Sequence, residues 1–116
     1  MDPANADELL RAARSGLERL TPQEAARAAA EGALVIDIRP ADQRRRDGEI
    51  AGATVVARNV LEWRLDPACP HRQPELARTD CQVILVCDEG YQSSLAAATL
   101  RTFGLDATDV IGGVQE

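Results

Sequence analysis

Residues 83 to 94 read VILVCDEGYQSS: four apolar residues, then Cys87, a short loop containing Gly90, and Ser93 and Ser94 at the start of an apolar helical stretch. A strand that turns into a helix over so few residues aims the cysteine sulfur at the first turn of that helix. The N–H groups there have no partner within the helix, and the helix dipole adds partial positive charge. A thiolate or another sulfur-borne anion on Cys87 is therefore stabilised. The expected chemistry is nucleophilic sulfur chemistry at Cys87, with Asp88, Glu89, Gly90, Tyr91, Gln92 and Ser93 forming the surrounding loop. Gly90 suits a tight backbone. Ser93 and Ser94 read most simply as helix caps, Ser93 also being in reach of the sulfur. Tyr91 fits equally at the mouth of the pocket or packed on the fold.

The spacing Cys-x-x-Gly-x-Gln-Ser over 87 to 93 resembles the active-site loop of the rhodanese (sulfurtransferase) family, written C-x-x-G-x-R-[ST]. Three further segments resemble the family's motifs in order. IDIRP at 36 to 40 is similar to D-V-R, GEIAGA at 48 to 53 to G-H-I-x-G-A, and DVIGGV at 109 to 114 to the Gly-Gly after the last strand. The resemblance implies an α/β fold with a small parallel sheet flanked by helices on both faces. It implies that Cys87 takes a sulfane sulfur from a donor, holds it as a persulfide and passes it to an acceptor. Asp37 and Arg39, at the end of a predicted strand, are then expected to tether neighbouring loops. No cofactor or metal is implied. The expected partners are a small sulfur donor and a thiol acceptor, either small or carried by a protein. A non-catalytic rhodanese-homology module, binding a partner or carrying sulfur within bacterial thiol metabolism, is the alternative.

The chain departs from the pattern in three places. Gln92 stands where many members have Arg, so anion capture must rest on the backbone, aided by an amide. Glu49 replaces the His of G-H-I, and nothing catalytic is expected of it. Asp88 and Glu89 put carboxylates in the loop. At ~7 Å from the sulfur, one carboxylate opposes an anion by roughly 0.6 to 2.4 kcal/mol for effective dielectric constants of ~80 to ~20. A helix N-terminus returns about 0.3 to 2 kcal/mol. The effects are comparable, so a dianionic donor is the disfavoured visitor. A related phosphatase loop, C-x5-R, would need arginine at Ser93 to hold phosphoryl oxygens and has histidine where Val86 stands.

At 116 residues with 45% hydrophobic composition, the chain is one domain by size. The expected organisation is an amphipathic helix within residues 1 to 20 packing on a domain of residues 21 to 116. All 13 basic residues are Arg, a bias that suggests a GC-rich bacterial genome. A net charge of -6 argues against nucleic acid, and the Arg44 to Arg46 run is flanked by Asp42, Asp47 and Glu49. No apolar segment approaches the ~18 residues of a membrane span, and the N-terminus lacks a signal-like pattern. A cytoplasmic location with reduced thiols is expected. Cys69, His71 and Cys81 supply three groups at a spacing unlike common zinc sites.

The elements that must position Cys87 alternate between helix and strand. Asn5 with Glu8 reads as a capping box opening a helix that stops at Gly16. Thr21, Pro22 and Glu24 form a second such start, with a stop at Gly32. LVIDI (34–38) is a buried strand, Pro40 to Asp47 one or two helical turns, and Thr54 to Ala57 a second strand. Asn59 is placed to cap a helix through Leu65, with Trp63 expected in the core and Arg58 and Arg64 in surface ion pairs, the alternative being that they lend positive charge to a site without its loop arginine. Residues 66 to 80, with three prolines, read as a surface excursion that could expose Cys69. Strand 82–86, helix 93–103 and strand 108–111 complete a parallel α/β pattern. The family often has another tryptophan after its Gly-Gly. This chain reaches Glu116 without one, so a last helix is expected to be absent or short.

Overall fold

The computed structural model describes residues 5 to 115. Its elements are α1 (Ala6–Arg14), α2 (Pro22–Ala30), β1 (Leu34–Asp37), α3 (Ala41–Asp47), β2 (Thr54–Val55), α4 (Leu61–Leu65), β3 (Gln82–Val86), α5 (Gln92–Arg101) and β4 (Asp106–Asp109). The four strands form one parallel sheet in the order β2-β1-β3-β4. The central strands β1 and β3 carry nearly continuous apolar residues because both sheet faces are covered.

The two-residue period of β3 decides where Cys87 goes. Val83, Leu85 and Cys87 join Leu61, Leu65, Ala96, Ala97 and Leu100 in the core beneath α4 and α5. Ile84 and Val86 point the other way, against Ala25 of α2 and Val110. Cys87 thus continues the face on which α5 begins. Both early helices start as the sequence predicts. The Asn5 side chain accepts from Glu8 N at 2.8 Å, and Thr21 and Glu24 form a reciprocal capping box. Helix α1 packs across α5.

Several expectations are corrected. Asn59 caps nothing: Arg58–Val60 tighten into a 3-10 turn, and α4 starts at Leu61 without a side-chain cap. In so short a helix only one stripe turns inward. Leu61 and Leu65 take it, and Trp63 is 56% exposed rather than in the core. The 66–80 segment is more than a surface excursion, because Cys69 and Leu76 are buried. Strand β4 begins at Asp106 and ends at Asp109, two residues earlier than expected at each end, and β2 is two residues long. No helix among the described residues is long and apolar enough to cross a membrane.

Candidate active site

Cys87 follows the last residue of β3 and is 4% exposed. Its Sγ accepts hydrogen bonds from Gly90 N–H at 3.2 Å and from Ser93 N–H at 3.3 Å. Ser93 Oγ lies 3.3 Å from the same sulfur. Two backbone amides, one in the loop and one in the first turn of α5, therefore meet the sulfur and favour negative charge there. Gly90 makes this possible: at φ +89° it adopts a backbone that side-chain-bearing residues avoid, and a Cβ would sit 2.9 Å from Gly112 N. Gly113 holds the loop from the other side. Val114 N–H donates to Cys87 O at 3.1 Å and Gln115 N–H to Asp88 O at 3.3 Å, leaving no room for a Cβ on Gly113.

Beneath the loop lies a polar network that sequence reasoning missed. Asp109, fully buried at the end of β4, accepts from Ser93 Oγ and Ser94 Oγ, both at 2.7 Å. Arg19 completes its shell, with Nε 2.9 Å from one oxygen and Nη2 3.1 Å from the other. Arg19 Nη2 and Arg14 Nη2 both donate to Gly90 O, at 3.0 and 2.7 Å, and Arg14 Nε donates to Ser94 Oγ at 3.0 Å. The serines are therefore not caps; α5 has no side-chain cap, and their hydroxyls turn inward to the carboxylate. Two guanidinium groups from the N-terminal segment fix the loop from below, where the loop itself has none. A charged residue inside the otherwise apolar DVIGGV was the available signal, since a buried carboxylate needs cationic or hydrogen-bonding partners.

At the rim, a cleft of about 190 Å³ opens over Cys87, lined by Asp88, Glu89, Tyr91, Gln92 and Gln43. Tyr91 stands at this mouth, 58% exposed, with the Arg14 guanidinium 5.7 Å from its ring centre. Asp88 is turned aside, paired with Arg46 at 2.8 Å and Gln115 at 2.7 Å. Arg46 also binds Asp47, and that hydrogen bond holds the Asp47 carboxyl below its usual range. Glu89 is exposed. The two loop carboxylates are thus unequal. E89Q is expected to raise the second-order rate of Cys87 alkylation by anionic iodoacetate at low salt by roughly threefold, while D88N changes it little. Convergence of the rates as ionic strength rises checks the electrostatic origin.

Asp37 and Arg39 do not reach this cleft. They form a buried ion pair at 2.7 Å, and Arg39 Nη2 also donates to Gly48 O at 2.9 Å. The pair ties the end of β1 to the segment leading into β2. Hydrogen bonding to Asp37 raises the Arg39 pKa further, against the opposing effect of burial.

The family model of the rhodanese-like domain matches residues 21 to 116. The chain belongs to the rhodanese-like domain family. Among solved structures, a Rhodopseudomonas palustris protein described as of unknown function and a possible tyrosine phosphatase is 30% identical, covering 97% of this chain and 88% of its own, with TM-score 0.87. That coverage carries the likeness across α1, which the family model does not reach. The rhodanese homologue TT1651 of Thermus thermophilus is 26% identical over 86% of this chain and 100% of its own, with TM-score 0.62. The human single-domain sulfurtransferase TSTD1 shares the fold at 21% identity and TM-score 0.68, over 84% of this chain and 92% of its own. No curated protein sequence matches closely enough to count as a relative.

Proposed function

We propose that this rhodanese-like protein is a sulfurtransferase that carries sulfane sulfur as a Cys87 persulfide. The observation that carries the reading is the pair of amides, Gly90 N–H and Ser93 N–H, directed at Cys87 Sγ. In the first half-reaction the Cys87 thiolate attacks the sulfane sulfur of a donor. The donor's bond to that sulfur breaks and its electron pair leaves with the donor, as sulfite when the donor is thiosulfate. In the second, an acceptor thiolate or cyanide attacks the terminal sulfur, the S–S bond breaks, and its electrons return to Cys87 Sγ. The amides stabilise the Cys87 thiolate, which is both the attacking form and the leaving group of the second half-reaction, and Glu89 disfavours a dianionic donor relative to a less charged organic persulfide.

Initial rates with a persulfide donor and cyanide, varied together, test the reading. Double displacement gives parallel reciprocal plots, and Cys87→Ser abolishes turnover. Intersecting plots contradict the covalent route. Inactivity with thiosulfate, 3-mercaptopyruvate and glutathione persulfide alike would favour the non-catalytic module.

A phosphatase reading, which the Rhodopseudomonas description raises, lacks its essential side chain. The position that needs arginine is Ser93, whose hydroxyl is bound to buried Asp109, and Arg14 and Arg19 grip Gly90 O from beneath the loop. Hydrolysis of an aryl phosphate is expected to be indistinguishable from that of Cys87→Ser; a clear Cys87-dependent rate would contradict the sulfur assignment.

A further inference from the structure

Beside the Cys87 cleft, on the other side of Gln92, lies a second cavity of about 370 Å³. Gln92 lines both, and the neighbouring α3 residues Gln43 and Arg44 line one each. The second cavity differs from the first in the charged side chains that line it, although each of its arginines has a carboxylate partner outside the lining. Three arginines, Arg39, Arg44 and Arg58, line it together with Asn59 and Gln92; the remaining wall is apolar and no carboxylate contributes. This occurs in a chain whose net charge is -6.

The arginines keep donors to spare. Arg58 uses Nη1 on Glu62 at 2.8 Å, and Arg44 uses Nη1 on Glu49 at 3.0 Å and Nε on Arg39 O at 3.4 Å. Arg39 uses Nε and Nη2 on Asp37 and Gly48. Its Nη1 is the one buried side-chain nitrogen or oxygen among the described residues with no hydrogen-bond partner. An unsatisfied guanidinium donor in a buried position is costly, and planar guanidinium groups match carboxylates well.

The geometry points to this cavity as the site for the carboxylate of an organic acceptor thiol whose sulfur reaches Cys87 past Gln92. The inference rests on the sulfurtransferase reading and adds the substrate class. The carboxylate is held by Arg58, Arg44 and the unpartnered Nη1 of Arg39 while the thiolate attacks the terminal sulfur of the Cys87 persulfide. One S–S bond forms on the acceptor, the bond to Cys87 Sγ breaks, and the acceptor leaves as a persulfide anion. Holding the tail gives the attack a fixed direction and a saturable rate.

The test compares acid and alcohol thiols of equal length, 3-mercaptopropionate with 3-mercaptopropanol and 6-mercaptohexanoate with 6-mercaptohexanol, discharging protein preloaded by glutathione persulfide. Rates are taken per thiolate. At least one acid is expected to exceed its alcohol by about tenfold, as for a charge-assisted hydrogen bond, with the ratio falling toward one in R58Q and in R44Q. Ratios near one in the unaltered protein for both lengths overturn the proposal. A second arm needs no sulfur transfer: hexanoate, but not hexanol, is expected to shift the amide resonances of Asn59 and Gln92, and R58Q to abolish the shift. If no donor loads Cys87, the sulfurtransferase reading falls while a hexanoate shift still supports the carboxylate site. No shift in that case overturns the site as well.

Discussion

Asp109→Ala is expected to destabilise the fold by roughly 3 to 5 kcal/mol, the range for removing one partner of a buried ion pair. Asp109 is fully buried, and its loss leaves Arg19 Nε and the Ser93 hydroxyl without their oxygen acceptor, while Arg19 Nη2 and Ser94 Oγ keep only Gly90 O, at 3.0 and 3.2 Å. Asp109→Asn keeps the shape but turns an amide donor toward at least one existing donor, and is expected to recover only part of the loss. Urea denaturation measures both. The loop should feel the change as well, since Ser93 supplies one of the amides on Cys87 Sγ and Arg19 holds Gly90 O. Iodoacetamide alkylation of Cys87 is therefore expected to slow in Asp109→Asn relative to the unaltered protein. A stability change under about 1 kcal/mol for Asp109→Ala would contradict the network, being no larger than an exposed pair contributes.

Gly113→Ala is expected to be of similar size for a different reason. At φ +61°, a Cβ there would abut the carbonyl oxygen of Cys87 and stand 2.6 Å from that of Asp88, both rigid backbone atoms. Backbone strain and overpacking together amount to about 2 to 5 kcal/mol, and relief requires the loop to move away from the Gly-Gly turn. Thermal unfolding should shift by 10 °C or more on the order-of-magnitude scale of small domains. Gly16→Ala is the matched control: nothing lies within 4 Å of a Cβ at that position, so the expected change is within about 0.5 kcal/mol. Equal effects of the two substitutions would show that the Gly113 contact does not matter.

The parts of the fold legible in the sequence are those with local causes. Asn5 and Thr21 announce helix starts through groups three residues away, Pro22 through its own fixed backbone angle, and VILV before Cys87 announces a strand through its own composition. The parts that were not legible depend on partners far along the chain. Arg14 and Arg19 meet Gly90 across more than 70 residues, and neither residue type nor local pattern marks them out. Ser93 and Ser94 read as caps, but α5 already starts at Gln92, and the arrival of Asp109 from β4 turns their hydroxyls inward. Trp63 stays exposed because a five-residue helix buries one stripe, which Leu61 and Leu65 take, and an apolar residue type does not by itself reveal that limit. The loop carboxylates looked equivalent in sequence; Arg46, 42 positions away, makes them unequal.

The amide cradle around Cys87 Sγ is expected to hold sulfur there. Intact-protein mass spectrometry after incubation with glutathione persulfide tests it most directly, with Cys69→Ser/Cys81→Ser and Cys87→Ser variants run alongside. A gain of one sulfur mass is expected on the unaltered protein and on Cys69→Ser/Cys81→Ser, reversed by cyanide, with no gain on Cys87→Ser. A sulfur gain that survives in Cys87→Ser, or no gain on a Cys87 that still alkylates readily, would contradict it.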